Sequence, residues 1–125
     1  TKRLPELDRA VSALLDDLHE RGRLQSTLVA VITEFGRTPT INKTAGRDHW
    51  SNVFSIVMAG GGLQSGQFIG TSNSRGEVPQ DRPIHINDVL ATIYTQLGVP
   101  TGLVHYDDGR PVPVLYEGKA IDELI

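Results

Sequence analysis

The chain has 125 residues, with 12 Lys plus Arg against 15 Asp plus Glu, a formal net charge of -3 and no cysteine. Hydrophobic residues make up 38% and charged residues 22%, the balance of a globular protein and not of a disordered one. These figures exclude disulfide frameworks, thiol catalysis, Cys-ligated zinc and iron–sulfur clusters, and they leave no broad basic footprint for nucleic acid or an anionic membrane.

The length favours one domain, since domains commonly hold roughly 100–200 residues. The chain starts at Thr1 without Met, so 1–125 is expected to be either a single domain or a fragment of something longer. Its longest apolar runs, around 28–32 and 53–59, fall far short of the roughly 20 residues that span a bilayer. No secretory signal with an apolar centre opens the sequence.

In chain order, Leu4, Leu7, Val11, Leu14, Leu15 and Leu18 recur at helical spacing and predict an amphipathic helix. Pro5 is tolerated in its first turn, and Gly22 supplies the left-handed exit. Residues 27–33 and 53–59 are apolar without alternation. That character predicts strands interior to a sheet covered on both faces, as in α/β proteins. The nineteen residues 34–52 between them are polar and aperiodic, and a loop of that length inside a domain is usually functional or disordered.

Further on, 60–62 are three glycines that stop the second strand; 66–70 predict a short strand and 71–81 a mobile surface loop. Asn87 is the predicted N-cap of a second helix with Val89, Leu90, Ile93, Tyr94 and Leu97 on its apolar face. Gly98 and Pro100 end it. The tail carries turn signals at 107–109 and 117–118 and a short predicted strand at 112–116. The chain shows no internal repeat and no domain boundary.

The chemistry gathers in 34–50. Glu34 stands at the end of the first predicted strand, where ligands collect in open α/β sheets. Asp48 and His49 precede the second and can fold back toward it. Carboxylates and an imidazole form a competent donor set for a divalent metal. Arg37 and Arg47 bracket the loop, and guanidinium groups bind phosphate or sulfate bidentately. Plainer readings stand beside these. Glu34 and Arg37 can be an ion pair fixing a turn, His49 a packing residue beside Trp50, and Arg47 with Asp48 a loop salt bridge. His19 and His105 read as solvated and His85 as structural. The glycines at 60–62, 66 and 70 match no phosphate-binding pattern.

TEFGRTP at 33–39, GRDHW at 46–50, MAGGG at 58–62 and DVLATIY at 88–94 resemble a bacterial family, the domain of unknown function 1501. The resemblance covers nearly the whole chain and implies a sulfatase-like protein of the alkaline phosphatase superfamily. This sequence looks like the C-terminal part of such proteins, which are several times longer and often exported, so a periplasmic location is implied for the whole. The implied fold is α/β: a layered sheet with flanking helices, the C-terminal portion of an alkaline-phosphatase-like domain. A sheet cut in this way exposes an edge or an apolar face, which predicts self-association.

The superfamily's Thr-Ala-Asp-His-Gly and Thr-Asp-His motifs hold two divalent metals that activate a Ser or Thr nucleophile. By that resemblance Glu34 matches the first Asp, Phe35 the adjacent His, Gly36 the Gly, Asp48 the second Asp and His49 the second His. The implied metal ligands are therefore Glu34, His49 and Asp48, for Zn, Mn, Mg or Ca. Arg37 has no assigned counterpart in the superfamily, and Arg37 and Arg47 are expected as substrate-binding residues on their guanidinium chemistry. Phe35 departs from the pattern, because a phenyl ring cannot ligate. No catalytic nucleophile is identified within the chain, since Thr33 has no activating base nearby. The expected activity is hydrolysis of phosphate or sulfate esters by the longer protein, with this chain alone inactive. The alternatives are a non-catalytic anion- or glycan-binding module and a structural or interaction protein whose motif loop braces the sheet.

Overall fold

Helix α1 (Arg3–Glu20) forms where the Leu stripe predicts it. It ends in a Schellman motif: the Arg23 amide donates to the Leu18 carbonyl at 2.8 Å and the Gly22 amide to that of His19 at 2.9 Å, with Gly22 at φ +66°. The chain is a computed structural model whose described residues are 3–125, so the start at Thr1 lies outside them. None of the residues of α1 is buried, and Leu4, Leu7 and Leu14 are exposed.

A single 3-10 turn (Leu24–Ser26) leads into the strands β1 (Leu28–Val31), β2 (Gly36–Arg37), β3 (His49–Trp50), β4 (Val57–Gly60), β5 (Thr71–Ser72) and β6 (Pro79–Asp81). Helix α2 (Ile86–Gln96) and the strands β7 (Val104–Asp107) and β8 (Arg110–Pro113) follow. The architecture is mixed α/β, with two helices and four two-stranded antiparallel sheets among the described residues.

The two apolar runs do become strands, but not the doubly covered inner strands they predict. β1 pairs only with β4, from Leu28 opposite Gly60 to Val31 opposite Val57, and Ala30 and Val57 are exposed. Both runs carry apolar groups on both faces, and the described residues supply each with a single neighbour. The chain turns into β1 and out of β4 at one point. A Cβ on Gly60, at φ +72°, would lie 2.3 Å from the Thr27 carbonyl oxygen and 2.6 Å from that of Leu24. Only glycine fits there.

Two loop expectations are also corrected. Residues 66–70 form no strand, and 71–81 is not an open loop but the bulged hairpin β5/β6, its tip closed by the Glu77 amide donating to Asn73 Oδ1 at 2.8 Å. The asparagine side chain satisfies a backbone donor that composition alone does not reveal.

The cap of α2 is His85, not Asn87. The His85 Nδ1 accepts from the Asn87 amide at 3.2 Å, and Asp88 Oδ2 accepts from the His85 amide at 3.0 Å. This reciprocal pair is a capping box built on imidazole. The helix ends at Gly98 in the same Schellman pattern as α1. β7 and β8 close on Asp108 (φ 46°) and Gly109 (φ 78°), a type I′ turn. The expected strand at 112–116 lies nearer that turn, because the tight two-residue connection starts pairing at Arg110.

Among the described residues the buried ones are Val89, Ala91 and Thr92 of α2 and Ile121 of the tail. The tail returns across α2: the Lys119 amide donates to Asp88 Oδ1, the Ile121 amide to Thr92 Oγ1, and Arg82 grips Glu123 through Nε and Nη2 at 2.7 and 2.8 Å. The chain exposes 9510 Å², against about 6,600 Å² for a compact monomer of its mass. Much of its apolar surface therefore lies open.

Candidate functional site

The loop between β1 and β4 is held shut by a two-residue ladder, with Gly36 opposite Trp50 and Arg37 opposite His49. Gly36 is required there, since a Cβ would fall 2.0 Å from the Val53 carbonyl oxygen. Side chains two apart on a strand share a face, so Phe35 and Arg37 lie on one face with His49 across from them. Phe35 and His49 stack at 3.8 Å between centroids and 23° between planes, and the Arg37 guanidinium carbon lies 5.6 Å over the Phe35 ring. Trp50 Nε1 ties the ladder to the β5/β6 hairpin through the Glu77 carbonyl at 2.8 Å.

The rest of the loop is organised by Asn42. Its Oδ1 accepts from the Thr44 amide, the Thr44 hydroxyl and the Gly46 amide, while Nδ2 donates to Asp48 Oδ1 at 2.8 Å. Thr38 and Asp48 exchange two bonds, the Thr38 amide to the Asp48 carbonyl and the Asp48 amide to Thr38 Oγ1. Arg47 Nη1 donates to the carbonyls of Thr38 at 2.7 Å and Pro39 at 2.6 Å.

The two arginines thus differ. Arg47 is a brace on carbonyl oxygens, whereas Arg37 has one long contact, Nη1 to the Arg47 carbonyl at 3.4 Å, and is exposed. Neither forms an ion pair among the described residues, so the Glu34–Arg37 and Arg47–Asp48 bridges are not made. Glu34 is exposed on the connection out of β1, Asp48 is exposed with Oδ1 on Asn42, and His49 is exposed against Phe35 and not packed on Trp50. Among the described residues no three His, Asp, Glu or Cys side chains gather as a group able to hold a metal ion. Catalytic zinc sites keep three protein ligands. Glu34, Asp48 and His49 are thus not drawn into one three-ligand group in this structure.

The ordering roles of Asn42, Thr38 and Phe35 escape a search for ligands and nucleophiles. Asn42 has a local signal, an Asx residue followed by Thr44 and Gly46; the Phe35 stack has none, because its partner is fourteen residues away. A separate open cleft of about 480 Å³ lies between β4, the β5/β6 hairpin and α2, lined by Val53, Phe54, Met58, Ile84, Val89 and Ile121 among others. None of the five predicted site residues lines it.

The chain is mixed α/β and carries its conspicuous polar constellation on one cross-linked loop. The chain belongs to the family described as protein of unknown function (DUF1501), whose model matches residues 1–125. No curated protein and no solved structure matches it.

Proposed function

We propose that the intact protein acts on phosphate or sulfate esters as a sulfatase-like hydrolase, that this chain is the C-terminal part of its alkaline-phosphatase-like domain, and that Arg37 is the chain's contact to the oxyanion. The observation that carries the reading is the state of Arg37: exposed, without a carboxylate partner among the described residues, and presented on the same face as His49. A planar guanidinium so placed offers two parallel N–H donors to a tetrahedral oxyanion. The motif resemblance supplies the ester chemistry. Arg47, with Nη1 engaged on the Thr38 and Pro39 carbonyls, braces the loop that presents Arg37. A divalent metal on Glu34, His49 and Asp48 is implied by the resemblance alone. The chain by itself provides no activated nucleophile.

A second reading, a non-catalytic anion-binding module, is favoured by one observation: Phe35 fills the place of the expected imidazole ligand and packs flat on His49. One titration distinguishes them. Inorganic sulfate or phosphate added to the chain should shift the Arg37 side-chain resonances saturably, and Arg37→Ala should abolish the response. An unchanged response in Arg37→Ala sinks the oxyanion assignment. The longer protein, given aryl sulfate and aryl phosphate esters, should release the phenol if it is a hydrolase; anion binding without release at any metal supplement favours the module.

A further inference from the structure

We infer that Phe35 is a positioning residue for Arg37: its ring, fixed by the stack on His49, orients the guanidinium that meets the oxyanion. The inference rests on the reading of Arg37 given above. Arg37 stands on a two-residue strand, with four rotatable side-chain bonds and one 3.4 Å hydrogen bond to restrain them. That bond is too long to orient a guanidinium. What remains is the Phe35 ring beneath it at 5.6 Å, within the range at which an aromatic face attracts a cation.

The ring is itself held. His49 covers it at 3.8 Å, His49 is fixed opposite Arg37 by the ladder, and the Trp50 indole anchors that ladder through Glu77. Between Phe35 and Arg37, Gly36 lies so close to the Val53 backbone that a Cβ there would fall 2.0 Å from its carbonyl oxygen. The order of dependence is thus β3, His49, Phe35, Arg37. A leucine at position 35 would keep the apolar bulk and lose the negative face; tyrosine or tryptophan would keep the face.

The test measures sulfate affinity of the chain for Phe35→Leu, Phe35→Tyr, Arg37→Lys and Arg37→Ala, with the Arg37 Nε–Hε proton shift as the spectroscopic reporter. Phe35→Leu should weaken sulfate binding about two- to five-fold, the size of an exposed cation–π contact, and move the Hε resonance toward its free position. Phe35→Tyr should restore both, and Arg37→Lys should weaken binding because the bidentate fork is lost. Wild-type affinity in Phe35→Leu, or equal loss in Phe35→Leu and Phe35→Tyr, overturns the inference while leaving the oxyanion site standing. Unchanged affinity in Arg37→Ala overturns the oxyanion reading itself. Should the Phe35 variants fail to fold, the wild-type spectrum decides: an Arg37 Hε proton at its free shift, without ring-current displacement, rejects the positioning.

Discussion

The Thr92 hydroxyl, completely buried in α2, donates to the Asp88 carbonyl at 2.7 Å and accepts from the Ile121 amide at 2.9 Å. That oxygen is one of two points at which the C-terminal tail is stitched to the helix that carries the core, the other being Asp88 Oδ1 on the Lys119 amide. Thr92→Val keeps the shape and removes the acceptor, leaving the Ile121 amide buried and unpaired. Such a group costs about 1–3 kcal/mol. Denaturant unfolding of Thr92→Val should show a loss of that size, and Thr92→Ser should recover most of it. Equal midpoints for wild type and Thr92→Val would mean that water reaches the Ile121 amide.

The same tail should loosen in acid. Asp88 is held below the ordinary carboxylate range, first by the Lys119 amide and next by the His85 amide; Glu123 is lowered to about 2, chiefly by its hydrogen bonds from Arg82. Both pKa values are lower folded than unfolded, so both groups stabilise the folded chain above the ordinary carboxylate pKa of about 4. That contribution fades as the pH falls from there toward 2. The protection factors of the Lys119 and Ile121 amides, measured against the intrinsic exchange rate at each pH, should fall over this window before those of the β1/β4 ladder do. Arg82→Ala should bring the loss to higher pH, because Glu123 then titrates nearer its ordinary value. Protection factors that stay constant between pH 5 and 2, after correction for the intrinsic pH dependence of amide exchange, would separate the clasp from these carboxylates.

Helices were the legible part of this sequence, and pairings were not. The stripe from Leu4 to Leu18 and the stops at Gly22 and Gly98 are local, and each appears where its periodicity or its left-handed exit requires. Whether an apolar run is covered on one face or two depends on residues far away, so 27–33 and 53–59 were readable as strands but not as a two-stranded ladder. The cap of α2 was displaced because an imidazole took the work of the usual Asx or Ser side chain. At the site, the loop's residue types were legible. The division of labour between Arg37 and Arg47 was not, since it depends on which carbonyl oxygens the folded loop turns inward.

Gly36 should tolerate no side chain. A Cβ there meets the Val53 carbonyl at 2.0 Å and the Trp50 carbonyl at 3.2 Å, backbone atoms that cannot swing aside. Gly36→Ala should therefore separate β2 from β3 and cost about 1–3 kcal/mol, the scale of forced overpacking. The specific readout is the nuclear Overhauser contact between the Phe35 and His49 rings, which should vanish while α2 keeps its signals. A persisting contact in Gly36→Ala would show that the stack does not depend on the ladder.

Arg37 and Arg47 should separate cleanly under substitution. Arg47→Ala removes the donor to the Thr38 and Pro39 carbonyls, so amides in 38–48 should exchange faster. The loss in stability should stay near 1 kcal/mol, because the site is exposed and Asn42 still holds the loop. Sulfate affinity should fall only as far as the loop loosens. Arg37→Ala removes no short hydrogen bond, so exchange in 38–48 and the unfolding midpoint should stay at wild-type values while the sulfate response disappears. Binding that persists in excess EDTA, yet is lost in Arg37→Ala, would place the cation and not a metal at the oxyanion. The reverse pattern, with Arg47→Ala abolishing binding and leaving exchange untouched, would exchange the roles of the two residues.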